Sequence, residues 1–98
     1  MKEIIKIIDG KTVESSLGWK IIITSIDSFQ YQEQDKTISF KIEDHPDETG
    51  ELEWTIYVPA NCKWQGTDET IDHEKMDEIV ERISLAFWKL DMKIKEFA

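Results

Sequence analysis

The hydrophobic period lengthens from that of a strand to that of a helix late in the chain, and that change limits the possible folds more than any other feature. Ile38, Phe40 and Ile42 alternate with Ser39, Lys41 and Glu43, and Leu52, Trp54, Ile56 and Val58 alternate with Glu53, Thr55 and Tyr57. A period of two puts one set of side chains on one face of a strand, so these segments read as a half-buried antiparallel pair. Further on the period lengthens. Met76, Ile79, Val80, Ile83, Ala86, Phe87 and Leu90 share one arc of a helix that turns by about 100° per residue. A sheet with one apolar face and a helix with one apolar stripe each need a cover, and each can cover the other. The expected fold is α+β: an antiparallel sheet of about five or six strands, one long C-terminal helix packed on one face, then a short final strand.

The flanking segments fit this plan. Residues 4–8, Ile-Ile-Lys-Ile-Ile, are β-branched and stop at the turn pair Asp9-Gly10. Trp19 to Asp27 is apolar on both faces for most of its length, which predicts a central strand covered from both sides or a bent one. Phe29, Tyr31 and Glu33 alternate with Gln30 and Gln32 and can continue that run past a kink at Ser28. Pro46 and Gly50 break the ladder between the two alternating segments, and Pro59 ends the second. Asp72 reads as the helix N-cap, with Glu74 in the first turn favoured by the helix dipole. Met92 to Phe97 alternates as an edge strand whose lysines discourage pairing with another edge.

A chain of 98 residues suffices for one core, so residues 1–98 are read as a single domain. No apolar run approaches the roughly 20 residues of a spanning helix, and the first residues lack a signal-peptide pattern. Together with a lone cysteine, Cys62, this predicts a cytoplasmic location and no disulfide. The net charge of −9 comes from the middle of the chain, where residues 43–81 hold thirteen acids against Lys63 and Lys75. Such a field repels nucleic acid and anionic lipid and draws in cationic partners.

The residues of chemistry do not assemble into a reaction. Zinc requires three or four nitrogen or sulfur ligands, and His45, Cys62 and His73 lie too far apart in sequence to form a known motif. Asp44, Asp47, Glu48 and Glu51 lack the alternation of a calcium loop and read as solvated hairpin charge. No glycine pattern cradles a phosphate, and neither histidine sits in a nucleophile motif. No cofactor, metal or catalytic residue is assigned, and binding is expected rather than catalysis.

Tryptophan and the outer helix arc mark the expected contact surface. Opposite the apolar stripe lie Glu74, Asp77, Glu78 and Glu81, followed by Leu85 and Trp88. Two large apolar groups on an outer arc call for a cover, supplied by a loop or the N-terminal strand, by a partner, or by a second copy. Trp54 belongs to the core face of its strand. Trp64, between Lys63 and Gln65, suits either an interface anchor or a plug at the end of the sheet.

The pattern from Trp54 to Phe97 resembles the C-terminal half of small immunity proteins from bacterial polymorphic-toxin and contact-dependent inhibition systems. Its features are a strand ending in Ile56-Tyr57-Val58, then Trp64, Ile71-Asp72, the helix segment Ile79-Val80-Glu81-Arg82-Ile83 and the closing strand. No proline follows Trp64, and Asp91 stands where that pattern has glycine between helix and last strand. The resemblance implies an inhibitor that binds one cognate toxin, often a nuclease, and transfers no catalytic residue. A basic toxin groove would meet the acids Asp44, Asp47, Glu48 and Glu51 of the hairpin loop and Glu74, Asp77, Glu78 and Glu81 of the helix, with Trp64, Leu85 and Trp88 as apolar anchors. The alternative is a homo-oligomeric or adaptor domain in which Leu85 and Trp88 pair across a two-fold axis.

Overall fold

A computed structural model describes residues 2–98. Seven strands and one helix follow in the order β1 (Ile5–Asp9), β2 (Thr12–Ser15), β3 (Trp19–Ser25), β4 (Ser28–Glu33), β5 (Lys36–Pro46), β6 (Leu52–Tyr57), α1 (His73–Lys89) and β7 (Lys93–Phe97). The strands lie side by side in sequence order, each antiparallel to the next through β6. β7 pairs parallel to β6. A parallel neighbour cannot be reached by a tight turn, and α1 supplies the crossover. The fold is the expected α+β arrangement, with seven strands in place of five or six.

The helix lies against one face of the curled sheet, where its apolar stripe meets the alternating inward residues. Ile79, Ile83, Ala86 and Phe87 are buried against Val13, Ile21, Phe29, Ile38, Phe40, Ile42 and Ile56. Phe29 stacks on Phe40 with centroids 5.2 Å apart and meets Phe87 edge-on at 5.3 Å, so three elements share one aromatic contact. Asp72 caps the helix, its carboxylate accepting from the Lys75 N–H at 2.7 Å.

The stretch from Trp19 to Glu33 is a hairpin and not a kinked run. β3 and β4 pair from Trp19↔Glu33 to Ser25↔Ser28 around Ile26 and Asp27. Hydroxyls close the turn: Ser25 Oγ donates to Asp27 at 2.7 Å, and Ser28 Oγ lies 2.7 Å from Ser25 Oγ and 2.9 Å from Thr24 Oγ1. Nor is β3 covered from both sides. Trp19 and Ile21 are buried, whereas Lys20 and Ile22 lie on the opposite face beside Gln32 and Gln30.

One end of the helix is held by a polar network. Tyr31 Oη donates to Glu33 at 2.7 Å, and Arg82 Nη1 donates to both Tyr31 Oη at 2.7 Å and Glu33 at 3.0 Å. Lys75 pairs with Glu33 at 3.1 Å, and Glu78 joins Lys75 to Arg82 at 3.3 and 2.7 Å. Desolvation raises the Glu33 carboxyl, but the Tyr31 hydrogen bond and the charges of Lys75 and Arg82 outweigh it and hold its pKa below the ordinary value. Burial, reinforced by the bond to Glu33, pushes the Tyr31 phenol up. Beneath the network Trp19, Tyr31 and Trp64 stack in series at 6.3 Å, with Arg82 over Trp19 and Lys36 over Trp64. Trp19 Nε1 donates to Glu3 at 2.8 Å, and Ser15 Oγ donates to the same carboxylate.

Candidate functional site

The connection from β6 to α1 decides the role of Trp64. Gln65 N–H donates to Thr37 C=O at 2.8 Å, and Ile71 N–H donates to Cys62 C=O at 2.8 Å, so the loop folds back on β5. Trp64 is turned inward by this return and is 3% exposed. It is a core plug and not a surface anchor, which corrects the interface reading of this residue. Cys62 is buried beside it, and desolvation raises its thiol pKa.

Two of the acids assigned to the surface serve the fold. Asp47 Oδ1 accepts from Thr49 N at 2.8 Å, Thr49 Oγ1 at 2.7 Å and Glu51 N at 3.0 Å, which organises the β5–β6 loop. These bonds, that of the Thr49 hydroxyl foremost, lower its pKa. Glu78 is tied to Lys75 and Arg82 as described. Their charges are answered within the chain.

The others face outward. Glu74, Asp77 and Glu81 are exposed on the helix, Asp77 lying 3.5 Å from the exposed His73. Glu48 and Glu51 are exposed in the β5–β6 loop. Asp44 is half-buried on the inner face of β5 opposite Trp54. Among the described residues, the carboxylates of Asp44, Glu48, Glu51, Glu74 and Glu81 make no side-chain hydrogen bond or ion pair.

Glu51 of the hairpin loop and Trp88 line one cleft, at the end of α1 opposite to Glu74. Leu85 is half-buried, whereas Trp88 is 72% exposed on the same outer arc as the helix acids. The end of α1 and the β5–β6 hairpin bound a cleft of about 610 Å³ lined by Glu51, Leu52, Trp54, Trp88, Asp91, Met92 and Lys93. Leu52, Asp91 and Met92 were not among the expected site residues. Leu52 lies on the apolar face of its strand and is 49% exposed at the cleft.

The geometry of the helix end explains how Asp91 enters the cleft. Met92 N–H donates to Phe87 C=O at 2.8 Å and Asp91 N–H to Trp88 C=O at 3.1 Å, the Schellman arrangement of hydrogen bonds. Asp91 takes the left-handed position with φ 58°. Its carboxylate is thereby held beside the negative end of the helix dipole.

No family model, curated protein or solved structure matches the chain in comparisons with each. Among the described residues, no group of three histidine, cysteine or acidic side chains is placed to hold a metal ion. No helix is long and apolar enough to cross a membrane.

Proposed function

We propose that the chain is an immunity-type inhibitor that binds a basic protein toxin, of the nuclease kind in the first instance, through the acidic surface around Trp88. The observation that carries this reading is one exposed tryptophan, Trp88, that shares its helix with the exposed acids Glu74, Asp77 and Glu81 and its cleft with Glu51 of the hairpin loop. Exposed carboxylates accelerate encounter with a cationic surface, and a large aromatic side chain slows dissociation once docked. A buried, unpaired thiol suits work in the reducing cytoplasm.

Self-association through Trp88 is the second reading, favoured by the exposure of that ring and of Leu52. A two-fold contact there would bring like charges of both copies together, which opposes it. The test is co-expression with the adjacent gene product, followed by capture at low and high salt. The inhibitor reading expects a basic toxin domain whose association slows and loses salt dependence when Glu74, Asp77 and Glu81 are replaced by lysine. Unchanged association would remove the helix face from the interface. A dimer in sedimentation that dissociates on Trp88→Asp would transfer the assignment to self-association.

A further inference from the structure

We propose that the cleft beside Trp88 is a receptor for an arginine side chain presented by a protein partner. The inference rests on the partner-binding reading of this face, and it specifies which partner group enters the cleft and what receives it.

Asp91 is the starting point, because its charge runs against its position, in a backbone conformation that glycine adopts more readily. The residue at the left-handed position after a helix is usually glycine or asparagine, since other side chains meet their own backbone there. A carboxylate at a helix C-terminus also faces the unsatisfied carbonyls of the last turn, where a cation is favoured. Asp91 has φ 58°, and its carboxylate finds no hydrogen bond or ion pair among the described residues. Conflicts of this kind concentrate at sites that serve a partner. A bound cation relieves the repulsion from the carbonyls and can also meet Glu51, whose carboxylate is likewise without a partner among the described residues and which lines the same cleft.

The remaining walls select among cations. Leu52, Trp54 and Met92 present apolar surface to an aliphatic stem, and Trp88 presents an aromatic face. That ring already carries a cation, Lys89 Nζ lying 5.6 Å from its centroid, yet stays largely open to solvent. Lys93, the base in the lining, lies 3.9 Å from Asp47 and 3.8 Å from Glu53 and is thus answered by carboxylates of its own. A guanidinium is planar, stacks on indole and donates a fork of hydrogen bonds to carboxylates, whereas an ammonium does neither as well. The volume of about 610 Å³ holds a long side chain together with the backbone that bears it.

The test uses the whole chain labelled with 15N and two capped peptides, Gly-Arg-Gly and its citrulline counterpart, which has the same shape without the charge. The indole N–H resonance of Trp88, identified through Trp88→Phe, should shift on titration with the arginine peptide and stay in place with the citrulline peptide. Trp19 and Trp64, both buried, should not respond. Asp91→Asn combined with Glu51→Gln should weaken the response about tenfold, the scale of one charge-assisted hydrogen bond. Asp91→Gly removes the charge and the backbone conflict together, so it should melt at or above the parent while losing the arginine response. That separates loss of binding from loss of fold.

An equal response to citrulline, an undiminished response in the double variant, or a silent Trp88 resonance with the arginine peptide at millimolar concentration would each overturn the assignment. The outcomes also separate it from the inhibitor reading. Peptide binding without toxin capture retains the cleft and removes the inhibitor, whereas capture equally tight by Asp91→Gly removes the cleft and retains the inhibitor.

Discussion

Replacing Arg82 with methionine tests whether the polar network fastens α1 to the sheet. The guanidinium bonds to Tyr31 Oη at 2.7 Å, to Glu33 at 3.0 Å and to Glu78 at 2.7 Å, and its side chain is only 20% exposed. Methionine keeps an unbranched aliphatic stem and removes the guanidinium that lies over Trp19, and with it the charge. Glu33, 17% exposed, is then left with Lys75 as its only cation. Hydrogen bonds to charged groups contribute about 1.5–3 kcal/mol each, and relaxation toward water recovers part of the loss, so about 2 kcal/mol is expected. In a domain of this size that lowers Tm by roughly 8–12 °C. Urea titration followed by circular dichroism should show a lower midpoint at unchanged m, and a double-mutant cycle with Glu33→Gln should give a coupling of about 1–2 kcal/mol. The pH dependence has a definite sign. Because the folded-state pKa of Glu33 is lowered from 4.5, its contribution is complete above that value and is lost as pH falls through the folded-state value. The parent should therefore lose stability below about pH 4.5 more steeply than Glu33→Gln. A loss under about 0.5 kcal/mol for Arg82→Met, or strict additivity with Glu33→Gln, would mean that the network is an exposed ion-pair cluster of no structural consequence.

Two further substitutions separate structural residues from surface ones. Trp64→Ala should cost about 3–5 kcal/mol in urea melts, the scale for removing a buried aromatic, whereas Trp88→Ala should stay within about 0.5 kcal/mol; comparable losses would contradict their opposite burial. Asp47→Ala should lower the urea midpoint and raise amide exchange at Thr49 and Glu51, whose N–H groups it holds, while Glu48→Ala leaves both unchanged; matching behaviour of the two variants would refute the loop-organising role.

How much of this was legible in the sequence depends on whether the information is local. The hairpin of β5 and β6 and the helix from His73 to Lys89 follow from hydrophobic period and from the Asp72 cap, because burial on one face imprints itself within a few residues. The β3–β4 turn was hidden for the same reason. Ser25-Ile26-Asp27-Ser28 contains neither glycine nor proline, and its closure depends on hydroxyls that also occur within strands. Ile22 added to the confusion by placing a β-branched side chain on the outer face, where it stands between Thr12 and Gln30. The network around Glu33 ties the helix to residues 42 to 51 positions away, and no spacing rule reaches that far. At the candidate site, Trp88 was visible as an apolar residue on a polar arc. Asp91 was visible as a residue other than glycine at the end of a helix, but its sharing of a cleft with Glu51 required the sheet order.

The division between engaged and free carboxylates gives the acidic surface its mechanism. Asp47 and Glu78 are committed to a loop and to a helix anchor, so changing their charge alters the fold as well as the field. Glu48, Glu51, Glu74 and Glu81 carry no such obligation, and their effect on a partner is a matter of long-range potential. A potential of that kind acts before contact and is screened over about 10 Å at ordinary salt, so on the proposed reading it would set how fast a basic partner arrives. On the same reading, Trp88 and Asp91 would act only within the cleft, on a partner already docked, and so would set how long it stays. On that proposal arrival and residence fall to different residues, with Glu51 belonging to both.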